Sequence, residues 1–297
     1  MVKSWDAQKE RSNPFLLKLI CKFALNMPRT ITRIWLWPIS FYFLLFSPVA
    51  RAASSDYLRR NPKTSSDIRS IYKHIYTFAS VILDRVYFIT GKFEKFKISY
   101  DLDPEALSVL DSNSGAVLLG AHVGSFEAMR CLAIKQADLN LKILMYRNHN
   151  AMITRILDEL NSDIASSVIN ISDTNALLQV QEVVESGGVI GLLADRVVPG
   201  EKLTRCCLLG GEVEIPSGPF SLSLILGVPI IVFFATYVGD NHYHITLKKL
   251  SDPVTAPRNQ RDVIIQDLTS DYIFQVERIL SRYPYNWFNF YDYWRAR

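Results

Sequence analysis

Residues 116–127, AVLLGAHVGSFE, decide the fold. The run over 116–121 is short, apolar and uncharged, the pattern of a strand buried on both faces. His122 follows at once, glycines stand at 120 and 124, and an apolar helix is expected over about 125–136. Strand, loop and helix in this order open a βα unit. Carboxyl ends of parallel strands are where such proteins place their ligands, and glycine there lets backbone and ligand approach closely. Glu127 falls early in the helix, five residues after His122. One helical turn would fold its carboxylate back onto the imidazole. A carboxylate on Nδ1 fixes the tautomer and leaves Nε2 as a base.

The same alternation continues outward. Strands are expected over 142–146, 168–171, 189–193, 229–237 and 242–247, and helices over 64–90, 150–161, 173–185, 216–226 and 262–280. Ser172 or Asp173 is the expected N-cap of the helix at 173, and Gly187-Gly188 stops it. Gly239-Asp240-Asn241 reads as a turn between two antiparallel strands. The fold class is therefore α/β: a mixed, mostly parallel sheet flanked by helices, with an N-terminal hydrophobic helical membrane anchor. The division expected is a basic, hydrophobic, membrane-associating region over 1–63 and a catalytic domain over 64–297.

Charge motivates that division. The chain has 297 residues and net charge +4, yet residues 1–63 hold eleven Lys/Arg against three acids, so the rest is net −4. A nucleic-acid binder carries its positive charge on the folded body, and none is expected to bind here. Basic residues beside apolar sequence fit an anionic membrane surface. The 49% hydrophobic content excludes a disordered chain. Residues 34–50 are uncharged but interrupted by Pro38 and Pro48. As a helix they would extend about 26 Å, short of a ~30 Å hydrocarbon core. A segment dipping in from one side is expected, with a buried helical hairpin as the alternative. The four cysteines lack C-x-x-C spacing, and His242 and His244 have no third ligand nearby, so neither metal nor other cofactor is expected.

The motif His122-x-x-x-x-Glu127 resembles that of the glycerolipid acyltransferase superfamily, and more closely the bacterial lipid A biosynthesis lauroyl/myristoyl acyltransferases. Further segments match in order: Met145-Tyr146-Arg147-Asn148, Leu193-Ala194-Asp195-Arg196, Leu208-Leu209-Gly210-Gly211, Pro216-Ser217-Gly218-Pro219, Gly227-Val228-Pro229-Ile230-Ile231 and the aromatic end Pro284-Tyr285-Asn286-Trp287-Phe288. The resemblance implies an enzyme on the cytoplasmic face of the bacterial inner membrane. It would move a fatty acyl group from an acyl-carrier-protein or coenzyme A thioester to a hydroxyl of a membrane lipid or glycolipid. It also implies substrate contacts at Gly124, Ser125, Asp195, Arg196 and Gly218. Arg196-Val197-Val198 and the acidic Glu212-Val213-Glu214 depart from the family pattern. Both lie where an acceptor would bind, so the departure bears on the acceptor and not on acyl transfer.

Such a transfer needs a base, for which His122 with Glu127 is the candidate. It also needs an oxyanion partner. Arg147 is the candidate, with the Gly124 and Ser125 amides at a helix N-terminus as alternatives. No G-x-S-x-G elbow is present, which agrees with a direct transfer without an acyl-enzyme. The rival reading is a non-catalytic, membrane-tethered lipid-binding scaffold. Asp195-Arg196 also reads as a structural ion pair, and the aromatic tail as packing.

Overall fold

A computed structural model describes residues 23–136, 139–146 and 166–294. In chain order these form α1 (Arg29–Ile34), α2 (Leu36–Phe46), α3 (Pro48–Arg60), α4 (Ile68–Ile89), β1 (Lys97–Leu102), α5 (Pro104–Asp111), β2 (Ala116–Gly120), α6 (Phe126–Gln136), β3 (Leu141–Met145), β4 (Val168–Asn170), α7 (Ala176–Glu185), β5 (Val189–Leu193), β6 (Leu203–Leu208), β7 (Gly211–Pro216), α8 (Gly218–Leu226), β8 (Ile230–Gly239), β9 (His242–Ser251) and α9 (Arg261–Arg282). The expected helix over 150–161 lies outside the described residues, as does Arg147.

The main sheet has the order β1-β9-β8-β2-β5-β3-β4, and every neighbouring pair is parallel except β8 with β9. β2 is buried at all five positions. Its side chains alternate between two cores, as the two-residue period of a strand requires. Val117 and Leu119 join the α7, α8 and α9 side, while Ala116 and Leu118 join the α4 and α6 side. That double burial is why the stretch reads as a continuous apolar run.

The differences from expectation have local causes. β6 and β7 pair as an antiparallel ribbon where only a loop was expected; the outward Arg205, Glu212 and Glu214 mask the strand pattern. Pro216 ends β7, and the following helix begins at Gly218. α7 starts at Ala176 with Asn175 before it, because Asp173 is held in a turn by its bonds with Asn170. β1 was not anticipated; it adds in parallel to β9 at the sheet edge.

At the N-terminus the uncharged run is not one helix. It breaks at Trp35 and Ser47, and Pro48 opens α3. No single described helix is long and apolar enough to cross a membrane; residues 29–46 and 48–60 meet that measure only jointly, bent by 94°. In α2 the stripe Leu36, Ser40 and Leu44 is buried, while Trp37, Phe41, Tyr42, Leu45 and Phe46 point outward.

This region is packed into the body and not appended to it. Arg29 forks onto Asp84 of α4 (Nε–Oδ1 2.7 Å, Nη2–Oδ2 2.6 Å), and the Tyr243 hydroxyl donates to the same carboxylate at 2.9 Å. Arg33 donates to the Tyr237 hydroxyl at 2.6 Å and to the Asp240 carbonyl. Tyr57 and Leu58 are fully buried in the main core. Buried contacts therefore cross the expected boundary at residue 63, and part of the basic charge before it serves the interior.

Candidate functional site

The parallel register of β2 and β5 builds the site. Gly120 pairs with Leu193, and Ala194 N–H donates to the Gly120 carbonyl at 3.0 Å. Two residues beyond each paired end stand His122 and Asp195, so the ladder delivers them side by side. His122 Nδ1 lies 2.8 Å from Asp195 Oδ1, and the His122 backbone N–H donates to Oδ2 at 3.0 Å. The carboxylate only accepts, so Nδ1 carries the proton. Nε2 has no hydrogen-bond partner among the described residues, and the side chain is 27% exposed against 1% for Asp195.

The C-terminal segment locks this pair. Asn289 Nδ2 donates to Asp195 Oδ2 at 2.8 Å, and the Tyr293 hydroxyl donates to the Asp195 carbonyl at 2.8 Å. Arg196 donates through Nε to Asn289 Oδ1 (2.8 Å) and through Nη2 to the Phe288 carbonyl (3.2 Å). Phe288 N–H returns to the His122 carbonyl at 2.8 Å. The aromatic tail thus packs against the site, and Arg196 is tied to the tail more than to Asp195. Trp287 sits at the centre of this packing, fully buried against Tyr57, Tyr293 and Trp294.

Electrostatics follow the geometry. Burial and the neighbouring Arg196 charge hold the His122 imidazole below its ordinary value, against the opposing pull of Asp195. Burial pushes Asp195 up, but His122, Arg196 and Asn289 outweigh it and bring its carboxyl down to about 2. The pair is thus a neutral imidazole on an ionised carboxylate, the state a general base requires.

Glu127 does not have the role expected of it. The partner of His122 Nδ1 is Asp195, while Glu127 is claimed by Arg85 of α4 (Nη2–Oε1 2.8 Å) and by Arg130 (Nη2–Oε2 2.7 Å). Burial would raise its carboxyl, but Arg130 and Arg85 hold it lowered. The helical turn after His122 therefore aims the acid at two guanidiniums instead of at the imidazole.

The alternative oxyanion donors are also engaged. Gly124 N–H donates to the Asn286 carbonyl at 2.9 Å, and Ser125 N–H to the Ala235 carbonyl at 2.7 Å. Ser125 Oγ caps α6 by accepting from Ala128 N–H at 3.1 Å and is buried. Gly124 has φ +65°, and a Cβ there would overlap the Ala235 carbonyl; the loop needs this glycine for its own path. Gly218 opens α8 on the connection between β7 and β8. His242 and His244 both contact the Ser99 hydroxyl, at 2.7 and 2.8 Å, at the far edge of the sheet. No cluster of three potential metal ligands occurs among the described residues.

Sequence reasoning missed Asp195 as the partner of His122, Arg85 and Asn289. For Asp195 a signal existed: two five-residue apolar strands are each followed, at the second residue, by a polar one. Compared with known proteins, the chain matches no family model, and no curated protein sequence matches it.

Proposed function

We propose that the chain is a membrane-associated O-acyltransferase. It takes an acyl group from an acyl-carrier-protein or coenzyme A thioester to a hydroxyl of a lipid or glycolipid acceptor, at the cytoplasmic face of a bacterial inner membrane. The observation that carries this reading is His122 at the carboxyl end of β2, with its Nδ1 proton held by buried Asp195 and its Nε2 without a partner among the described residues. Nε2 takes the proton of the attacking hydroxyl as its oxygen bonds to the thioester carbonyl carbon. When the C–S bond breaks, the same proton passes to the leaving thiolate. Arg147 remains the proposed oxyanion donor.

The N-terminal helices support the membrane part. Trp35 is 66% exposed and Phe46 61%, and between them only the 36/40/44 stripe of α2 is covered. A helix apolar around its whole circumference needs a non-aqueous environment on the side its own domain leaves open. Aromatic residues in such a patch suit the headgroup level.

The test is full-length protein in mixed micelles with an acyl thioester and candidate lipid acceptors, read by thiol release and by mass spectrometry of the lipid. General-base loss costs about 10²–10⁴ in rate, and His122→Ala is expected in that range with its melting curve preserved. Thiol release that persists at full rate in His122→Ala would overturn the assignment. Release that is equally fast without acceptor would make the enzyme a hydrolase.

A further inference from the structure

β1 stands at one end of the main sheet and pairs with β9 on one side only. That pairing fixes where each backbone group points. Lys97 N–H donates to the Asn241 carbonyl at 2.9 Å, and Asp103 N–H to the Leu247 carbonyl at 3.0 Å, both on the β9 side. Backbone groups alternate in direction along a strand. The groups of residues 97, 99, 101 and 103 therefore face β9, and those of Ile98, Tyr100 and Leu102 face away from it. These three have no backbone partner among the described residues. Such a row of unpaired donors and acceptors is a template for a further strand. β1 contains no proline, and no bulge interrupts its register with β9. Tyr100 is 52% exposed and Leu102 38%.

Charge selects the strand that fits. Lys97 lies two residues before Ser99 and Asp101 two residues after it. A lone lysine would blunt the edge, and like charges would repel a second copy. A cation and an acid placed symmetrically about Ser99 do the reverse. If β1 of a second copy runs antiparallel, with a twofold axis at Ser99, each Lys97 stands opposite Asp101 of the other copy. Opposite charges directly across a pair stabilise it. The backbone parity agrees. This register makes Ile98 and Tyr100 a hydrogen-bonded pair, twice, through the groups that point outward. It leaves Lys97 with Asp101, and Ser99 with its own copy, as the closer non-hydrogen-bonded pairs. Asp101 already has Arg282 Nη1 at 3.7 Å, but both side chains are more than half exposed, and such a pair contributes little in water. We propose that the chain forms a twofold dimer by pairing its β1 strands antiparallel about Ser99, which joins two seven-stranded sheets into one. The proposal is independent of the chemistry at His122.

The experiment measures the protein mass of the full-length chain in detergent micelles by light scattering, over a dilution series. The wild type is expected at twice the 33.9 kDa of one chain, falling to one chain on dilution. Lys97→Asp and Asp101→Lys each place like charges opposite one another twice. Either should move the dimer midpoint to a higher concentration, on the order of tenfold or more. Mixing the two single variants restores opposite charges at both contacts, and so does Lys97→Asp/Asp101→Lys; both should recover the dimer. Tyr100→Pro removes an outward N–H without touching the β9 ladder and should give a monomer. Ser99→Cys should cross-link to a covalent dimer under an oxidant that leaves the wild type uncrosslinked, because residues opposed in a non-hydrogen-bonded pair lie within disulfide reach. One chain's mass at every concentration of wild type overturns the proposal. So does a dimer whose midpoint is unmoved in both charge variants. If the charge variants do not fold, a dimer that persists in Tyr100→Pro, or a Ser99→Cys protein that does not cross-link, overturns it instead.

Discussion

Asp195→Asn is the most informative change, because the surrounding donors dictate how the amide must sit. Two donors, the His122 backbone N–H and Asn289 Nδ2, point at Asp195 Oδ2. An asparagine meets both only by placing its carbonyl oxygen there. Its NH₂ then faces His122 Nδ1, 2.8 Å away in the native protein. Two donors cannot share that contact, so Nδ1 must give up its proton and Nε2 must take it. The proposed base is lost while the shape is kept. The carboxyl sits at about 2 against an ordinary 3.8, so its surroundings favour the charged form by roughly 2–3 kcal/mol. That preference disappears with the substitution. In the Ser-His-Asp template the same isosteric change costs about 10⁴ in turnover through the wrong tautomer. A loss of about 10²–10⁴, the range of general-base catalysis, is expected here. Asp195 is also the group that opposes the lowering of His122 by burial and Arg196. Its neutralisation should therefore move the acidic limb of kcat/KM to lower pH. Long-range ¹H–¹⁵N spectra of His122 read the tautomer directly, beside the thioester assay. A variant that keeps the proton on Nδ1 and turns over normally would refute the reasoning.

Three further outcomes are expected. His74 is fully enclosed, bonded through Nδ1 to Ser54 at 2.8 Å and through Nε2 to the Trp287 carbonyl, and burial lowers it from 6.5 to about 4 despite that second bond. The unfolded chain therefore binds more protons between those values, and stability should fall by about 3 kcal/mol as pH drops from 6.5 to 4; denaturant titrations of wild type and His74→Gln should differ in that slope. Gly124→Ala meets both a left-handed φ and the Ala235 carbonyl, so a loss above the usual 1–3 kcal/mol of backbone strain is expected in thermal melts. Arg29→Met leaves the buried Asp84 charge with Tyr243 as its side-chain hydrogen-bond donor among the described residues, which should cost about 3–5 kcal/mol, while Arg29→Met/Asp84→Leu should recover much of it in the same melts.

The sheet was legible because its central strands are buried on both faces and leave uninterrupted apolar runs. Where one face meets water, the signal thinned. The alternating Thr204, Arg205 and Leu208 of β6 did not stand out, and neither did β1 at the sheet edge. The site was half legible for a related reason. His122 announces itself by following a strand into glycines. Its partner is set by which strand lies next to β2, and strand order is a tertiary property that no local pattern encodes. An acid five residues away is the natural candidate from sequence, whereas Asp195 is 73 residues away and adjacent only through the register Gly120–Leu193. The tail shows the same limit: Asn289 is an unremarked polar residue in an aromatic run until it is seen holding Asp195.

The N-terminal helices carry the argument one step further. A tether and a structural element make different demands on sequence: a tether needs only apolar length, while a packed element needs matched partners. Residues 23–60 meet the second demand on one face and leave the other face apolar. Arg29 with Asp84, Arg33 with Tyr237, and the Leu36/Ser40/Leu44 stripe bind one side to α4 and the sheet. Trp35, Trp37, Phe41 and Phe46 leave the other side open and apolar. Arg29 reaches Asp84 on α4, and the next residue of that helix, Arg85, holds Glu127 of α6. Whatever covers the apolar face therefore bears on the helix that carries Arg85. The apolar face and the Glu127 contact are joined through one helix, so truncation before α4 should disturb the packing around Glu127 as well as remove the proposed membrane contact.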